Sequence, residues 1–271
     1  FSAIILTNIR LLIAGAVLLL FAYLSDKEKF VAFFKDKSSY ISLILFAFLG
    51  LLLTQLTYLI AIAETNAGTA TVLQYVCPVG VLAYTCIKDR VGPTVSEIAS
   101  MLLAIGGTFL IATHGQLNQL AITPKGLGWG LFSAFAYALY IILPLNLIKK
   151  WGSMLVIGVG MLLPGILMLP FSGLVSFQGH YSSDNLWALF GLIVLGTIFA
   201  YTVFLKGTSM VGAVKGSLLA SIEPISAVFF AYMIMNDQFY AIDFIGMGMI
   251  LLAVLLISLK DLIIQKEKGI L

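Results

Sequence analysis

The sequence predicts an all-α polytopic membrane protein, and three observations predict it. Hydrophobic residues make up 61% of the 271 residues and charged residues 10%, against roughly 45–50% and about 25% in soluble domains. Mean hydropathy is +1.09, the value of a chain whose main solvent is lipid. The apolar residues also fall into runs of roughly 20, the length a helix needs to cross the hydrocarbon core. The net charge of +3 comes from cations scattered among these runs, with no basic stripe, so no nucleic-acid partner is expected. Cys77 and Cys86 would stand about 13 Å apart along one helix, beyond disulfide reach, and read as packing residues.

Nine spans follow in order, at about 2–24, 41–63, 66–87, 92–113, 126–147, 153–173, 186–206, 212–235 and 242–260. Each ends where turn-forming or charged residues interrupt the apolar run. Ser25-Asp26-Lys27 closes the first, Asp89 to Pro93 divides the third from the fourth, and Thr123-Pro124 opens the fifth. Residues Gly179 to Asn185 precede the seventh, and Asn236-Asp237 separates the last two. The connection from Asp26 to Ser39 differs from the rest. Phe30, Phe33 and Phe34 recur there at helical spacing among Lys27, Lys29, Lys35 and Lys37. That pattern predicts a short basic amphipathic helix at a membrane surface.

Cations set the expected orientation. Taken alternately, one set of connections carries Lys27, Lys29, Lys35, Lys37, Lys88, Arg90, Lys149, Lys150, Lys206 and the tail lysines, and the other carries Lys125 alone. Arg10 and Lys215 fall inside spans. The C-terminus is therefore expected in the cytoplasm of a plasma membrane, with Phe1 on the outer side.

An internal repeat adds to this. Ala67 to Pro78 returns in weakened form at Ala213 to Pro224, offset by 146 residues. Each copy starts with small residues and ends on a proline within an apolar run. Each is followed by a glycine-bearing span, at Gly106-Gly107 and at Gly246 and Gly248. The charge argument makes the two copies cross in opposite directions, and inverted repeats are a transporter signature. Residues 1–113 then form a first repeat and 126–271 a second, inverted one with the tail. The second repeat counts five spans and the first four, so a tenth helix before Phe1 is inferred, completing a 5 + 5 bundle.

The order of these motifs resembles the EamA-type family of the drug/metabolite transporter superfamily. The residues that carry the resemblance are Asn8-Ile9-Arg10, Leu73-Gln74 through Pro78, Gly196-Thr197 with Ala200-Tyr201, and Glu223-Pro224 followed by Gly246. It implies a ten-helix bacterial membrane protein moving small metabolites by alternating access. Asn236-Asp237 stands where many relatives show a glutamate, and no role is transferred there.

Charged groups inside spans are costly and tend to face the bundle interior. Glu223 lies about 16 Å into its span at helical rise, close to the midplane. It shares a face with Gly212, Gly216, Ala220, Ser226 and Ala227, which favours close helix contact. Pro224 removes the backbone donor that Ala220's carbonyl would otherwise meet. An acid so placed suits proton coupling or binding of a substrate amine, and a structural acid is the alternative. The repeat puts Cys77 at the counterpart position, so the pair offers a single carboxylate. Arg10, in the outer half of its span, can clamp a carboxylate or phosphate or else snorkel outward. Lys215, near the cytoplasmic edge, snorkels.

Uncharged polar faces complete the candidate site. Thr54, Gln55 and Tyr58 share one helix face, and Thr71, Gln74 and Pro78 another. Ser133, Tyr137, Tyr140 and Pro144 share a third, and Thr197 with Tyr201 a fourth. Four such faces can converge on one mostly apolar cavity with a few placed donors. Arg10, Gln55, Tyr58, Gln74, Tyr137, Tyr140, Tyr201 and Glu223 are the expected substrate-binding residues, with interhelical bonding as the alternative for each polar one. Gly126/Gly130 and Gly212/Gly216 match small-xxx-small spacing, which reads as packing inside a monomer before dimerisation.

The function expected is a secondary transporter of small metabolites, amino acids or other zwitterionic or amphipathic compounds, with protons as the coupling ion. An integral membrane enzyme is the main alternative. His114 and His180 sit at loop positions and no Cys/His/Asp set has metal-ligand spacing, so no metal or cofactor is expected. No nucleophile or phosphate-loop motif occurs either. A channel or receptor is the third class, and no ring of carbonyls or acids suggests an ion filter.

Overall fold

A computed structural model describes residues 3–65, 67–113, 115–116, 123–173, 183–220, 222–223, 225–226 and 240–267. Among these residues the secondary structure is helical, with no strand. The all-α expectation holds. Five stretches are long and apolar enough to cross a membrane: Ile4–Ser25, Lys37–Glu64, Ala70–Asp89, Pro124–Trp151 and Leu186–Val211. Val95–Leu110, Ser153–Met168 and Ala241–Ala253 are shorter apolar helices. Most of the second half of the expected 212–235 span lies outside the described residues.

Two compact units emerge. The first comprises Phe1–Leu59 with Leu139–Gly212, and the second Ile60–Ala138 with Ala213–Leu271. Each unit thus takes residues from both sequence repeats.

The first unit opens with α1 (Ala3–Ser25) and α2 (Lys27–Lys35). Asp26 caps α2, its Oδ1 accepting from the Lys29 backbone N–H at 2.9 Å. This is the amphipathic segment expected from its phenylalanines, and Phe33 is fully buried. Phe33 meets the Trp151 ring edge-on, with centroids 5.4 Å apart. The indole N–H donates to Ser39 Oγ at 3.0 Å, and Lys150 pairs with Asp36 at 2.6 Å. Next come α3 (Tyr40–Leu45), a π-helical turn at Phe46–Leu52, and α4 (Leu53–Glu64).

Later in the chain this unit adds the end of α8 (Pro124–Ile142), then α9 (Leu145–Trp151) and α10 (Ser153–Met168). Pro144 has no N–H for the Tyr140 carbonyl, and the spanning stretch Pro124–Trp151 carries a turn there between α8 and α9. Gly152, at φ +86°, turns the chain between α9 and α10 in a conformation that favours glycine. α1 and α10 pack through small residues. A Cβ on Gly15 would stand 2.7 Å from the Leu162 backbone nitrogen, so only glycine allows this approach. Asn8 is fully buried. With its amide turned to suit its neighbours, it donates to Gly165 O and accepts from the Leu169 N–H and Ser172 Oγ. α11 (Ser183–Ile193), a π-helical turn at Val194–Phe199 and α12 (Ala200–Val211) complete the unit.

The second unit holds α5 (Ala67–Gln74), α6 (Cys77–Asp89) and α7 (Val95–Thr113), most of α8, α13 (Ala213–Ala220) and α14 (Ala241–Glu267). The expected third span corresponds to the single spanning stretch Ala70–Asp89, with a turn inside it between α5 and α6. Pro78 removes the donor for the Gln74 carbonyl, and the chain turns at Tyr75-Val76. A capping box starts α7, with Glu97 Oε2 accepting from Thr94 N–H at 2.8 Å and Thr94 Oγ1 from Glu97 N–H at 3.4 Å. The glycine-bearing spans paired by the repeat pack directly on each other, as α7 and α14. A Cβ on Gly107 would lie 2.6 Å from the Gly246 carbonyl oxygen. Gly126 and Gly130 face Thr65 and Leu73, so their spacing serves packing inside this unit.

Candidate functional site

Of the expected site residues, Arg10, Gln55, Tyr58, Tyr140 and Tyr201 belong to the first unit, and Gln74, Tyr137 and Glu223 to the second.

In the first unit α1 carries Arg10, whose Nε donates to Thr197 Oγ1 at 3.1 Å. Thr197 is fully buried and donates in turn to the Leu192 carbonyl at 2.8 Å. That carbonyl lies five residues back, the spacing of a π-helical turn. The turn therefore supplies the acceptor that orients Thr197, and Thr197 orients the guanidinium. Among the described residues the ion pair is that of Lys150 with Asp36, so the Nη groups of Arg10 hold no carboxylate. A guanidinium fixed through Nε still presents its fork to an anion.

Tyr201 follows Thr197 by one helical turn. Its ring lies 5.5 Å from that of Tyr140, which also stacks on Phe204 at 6.2 Å and Phe46 at 6.3 Å. Tyr140 is 4% exposed. Close approach of the helices here depends on Gly50, where a Cβ would stand 3.3 Å from the Tyr140 Cα. Tyr58 is half-buried. Gln55 is different: it is 5% exposed, and neither amide atom has a hydrogen-bond partner. Thr54 Oγ1 beside it likewise has no partner among the described residues.

The second unit centres on a residue that the sequence reading passed over. Tyr75, at the α5–α6 break, is 3% exposed. Its hydroxyl lies 2.7 Å from Glu223 Oε2 and 2.8 Å from the Ala220 carbonyl oxygen. Ala220 O is the acceptor that Pro224 was expected to leave without a helical donor. Gly216 on the same face is buried, Ala220 and Ser226 are half-buried, and Glu223 itself is exposed. The signal for Tyr75 was present in the sequence. A freed carbonyl beside an intramembrane acid calls for a donor, and the repeat aligns Glu223 with Cys77, two residues after Tyr75. Gln74 donates through Nε2 to Ser133 Oγ at 2.7 Å, an interhelical bond from α5 to α8. Tyr137, one turn after Ser133, is half-buried. No group of three or more His, Cys, Asp or Glu side chains could hold a metal among the described residues. His114 and His180 lie outside them.

Apolar helices long enough to cross a membrane define an α-helical multi-pass membrane protein. The chain belongs to the EamA-like transporter family, whose model matches residues 1–113 and 124–259. That bears out the resemblance carried by Asn8 to Arg10, Leu73 to Pro78, Gly196 to Tyr201 and Glu223-Pro224. It is similar to an uncharacterized inner membrane transporter, YicL of Salmonella typhimurium, at 36% identity over 96% of this chain and 86% of that one. It is also similar to the uncharacterized transporter YetK of Bacillus subtilis, at 25% identity over 90% and 75% of the two chains. One crystal structure shares the fold with a TM-score of 0.78 at 13% identity, covering 96% of this chain and 88% of the other. The protein is a membrane transporter with a small-molecule substrate, set in a plasma membrane.

Proposed function

We propose that this transporter is a proton-coupled secondary carrier of small amino-acid-like or other zwitterionic metabolites, working by alternating access, with Glu223 as the proton-exchanging group. The arrangement of Tyr75 carries the reading. One phenolic proton faces two acceptors, 2.7 and 2.8 Å away. When Glu223 is ionised the hydroxyl can donate to the carboxylate or to the Ala220 carbonyl, and one of them goes without. When Glu223 is protonated it donates to the Tyr75 oxygen, and Tyr75 donates to Ala220. Both bonds then form. Arrival of a proton at Glu223 thus changes what holds the Ala220 carbonyl, which gives protonation a mechanical consequence in α13.

For substrate, Arg10 suits a carboxylate, Gln55 offers an unused donor and acceptor, and the tyrosines provide apolar walls with polar edges. Within the second unit, taken by itself, Glu223 in its ionised form suits an amine. The inverted-repeat organisation, the cytoplasmic C-terminus and the monomeric state belong to the same proposal. Uptake of a labelled amino-acid mixture into proteoliposomes under an imposed pH gradient tests it. Accumulation above equilibrium that collapses with a protonophore is expected. Flux of these compounds indifferent to the gradient would defeat the coupling.

A further inference from the structure

A second polar site lies in the first unit, away from Arg10 and its neighbours. A cavity of about 490 Å³ is walled by the end of α1, by α2 and α9, by the start of α10, and by α12. Lys29 on α2, Lys149 on α9 and Lys206 on α12 all line it. None of the three forms an ion pair, the one pair among the described residues being Lys150 with Asp36. Asp26 is the sole acid of the lining, and its Oδ1 is engaged in capping α2. Three lysines against one carboxylate give the lining an excess of positive charge. Such a concentration is costly in self-repulsion unless an anion offsets it. The first turn of α10, a helix of 16 residues with no side-chain cap, also borders the cavity, and its free N–H groups favour negative charge.

The rim says which anion. Met154 is 42% exposed and Met210 79%, and both line the cavity. Beyond them Leu24 and Phe21 on α1 and Val31 and Phe34 on α2 are exposed as well. A polar, cationic pocket therefore opens beside apolar faces on the basic amphipathic helix. A ligand that satisfies both parts carries an anionic phosphate and hydrocarbon chains. We infer that this cavity binds the headgroup of an anionic phospholipid, with the acyl chains along the exposed faces of α1 and α2. Basic pockets at membrane surfaces recognise such headgroups, and a free phosphate would leave the apolar rim unused. The inference is independent of the transport reading.

Native mass spectrometry of the purified protein in a neutral detergent tests it, with three probes at equal concentration. These are dioleoylphosphatidylglycerol, dioleoylphosphatidylcholine and soluble glycerol 3-phosphate. The parent is expected to retain phosphatidylglycerol well above phosphatidylcholine, and to retain no glycerol 3-phosphate. The Lys29→Gln/Lys206→Gln double variant should lose roughly fivefold affinity per lysine, about 25-fold for the pair. Lys125→Gln, on an exposed lysine of the other unit, should bind as the parent does. Equal retention of the two lipids, or undiminished phosphatidylglycerol binding in the double variant, would overturn the inference. Glycerol 3-phosphate bound as tightly as the lipid would overturn it too, replacing the lipid with a free phosphate. Lys206 and Lys125 are exposed and Lys29 is half-buried, and none of the three forms an ion pair among the described residues, so a near-parent thermal transition should accompany the variants.

Discussion

Tyr75→Phe removes one oxygen from a residue that is 3% exposed and keeps the ring that fills the site. No cavity forms, so the effect reports on the hydroxyl alone. In the protonated state the variant loses two neutral hydrogen bonds, one from Glu223 and one to the Ala220 carbonyl. In the ionised state it loses one bond to a charged group. Interhelical hydrogen bonds inside membrane proteins average about 0.6 kcal/mol and reach about 1.7, less than the 1.5–3 kcal/mol or so given by charged partners in water-soluble proteins. The membrane figure governs here, because the unfolded helices also find partners in the bilayer. Both protonation states therefore lose about 1–2 kcal/mol. Denaturant unfolding in mixed micelles should show that loss, with Tyr84→Phe, at an exposed position on α6, close to neutral. In proteoliposomes the variant should exchange substrate for substrate while accumulating it poorly, because a proton on Glu223 no longer alters what holds Ala220. A Tyr75→Phe protein with parental stability and parental accumulation would refute this reasoning.

Three further outcomes are expected. Gly107→Ala puts a methyl 2.6 Å from the Gly246 carbonyl oxygen and 2.7 Å from Ile250 Cγ1, so α7 and α14 must part, at a cost of roughly 1–3 kcal/mol readable by unfolding in micelles. Thr197→Val removes the acceptor that holds Arg10 Nε at 3.1 Å, and should raise the KM for carboxylate-bearing substrates more than it lowers the maximal rate. Lys150, then Ser38 and Ser39, hold the Asp36 carboxyl well below the usual carboxylate range. The tie from Asp36 to Lys150 is therefore fully present above the unfolded value of about 3.9 and is lost as pH falls through the lower folded one. Hydrogen exchange of residues 27–35 should stay slow at pH 4, and Asp36→Asn should speed it at pH 4 and above, where the parent holds the tie.

Most of the helical architecture was legible because hydrophobic runs of spanning length admit few alternatives. The breaks were harder. Pro78 and Pro144 stand where one helix gives way to the next, in the first turn of α6 and at the N-cap of α9, whereas Pro164 sits inside α10 without interrupting it. The residue type is the same, and packing decides which helix yields. The π-helical turns at Phe46–Leu52 and Val194–Phe199 carry no composition signal, yet the second one orients Thr197 toward Arg10. Glu223 was legible as a costly intramembrane charge, and so was the freed carbonyl of Ala220. Their common partner was signalled only indirectly, by the repeat that aligns Glu223 with Cys77 two residues after Tyr75, because a tyrosine in an apolar run looks like any other aromatic. Gln74 was read as a site residue from the face it shares with Thr71 and Pro78, with interhelical bonding as the alternative, and the structure gives it Ser133 as a partner. The amphipathic segment was legible in its phenylalanine spacing, but the gathering of Lys29, Lys149 and Lys206 depends on how α2, α9 and α12 pack.

The central claim is that a proton on Glu223 drives substrate movement. Uptake by the Glu223→Gln variant in proteoliposomes, measured beside the parent with and without an inward-acid pH gradient, tests it most directly. The amide can still hydrogen-bond Tyr75 but cannot exchange a proton. The account predicts a folded variant that performs substrate-for-substrate exchange and shows no accumulation driven by the gradient. Parental gradient-driven accumulation in the variant would contradict it and leave Glu223 a structural partner of Tyr75.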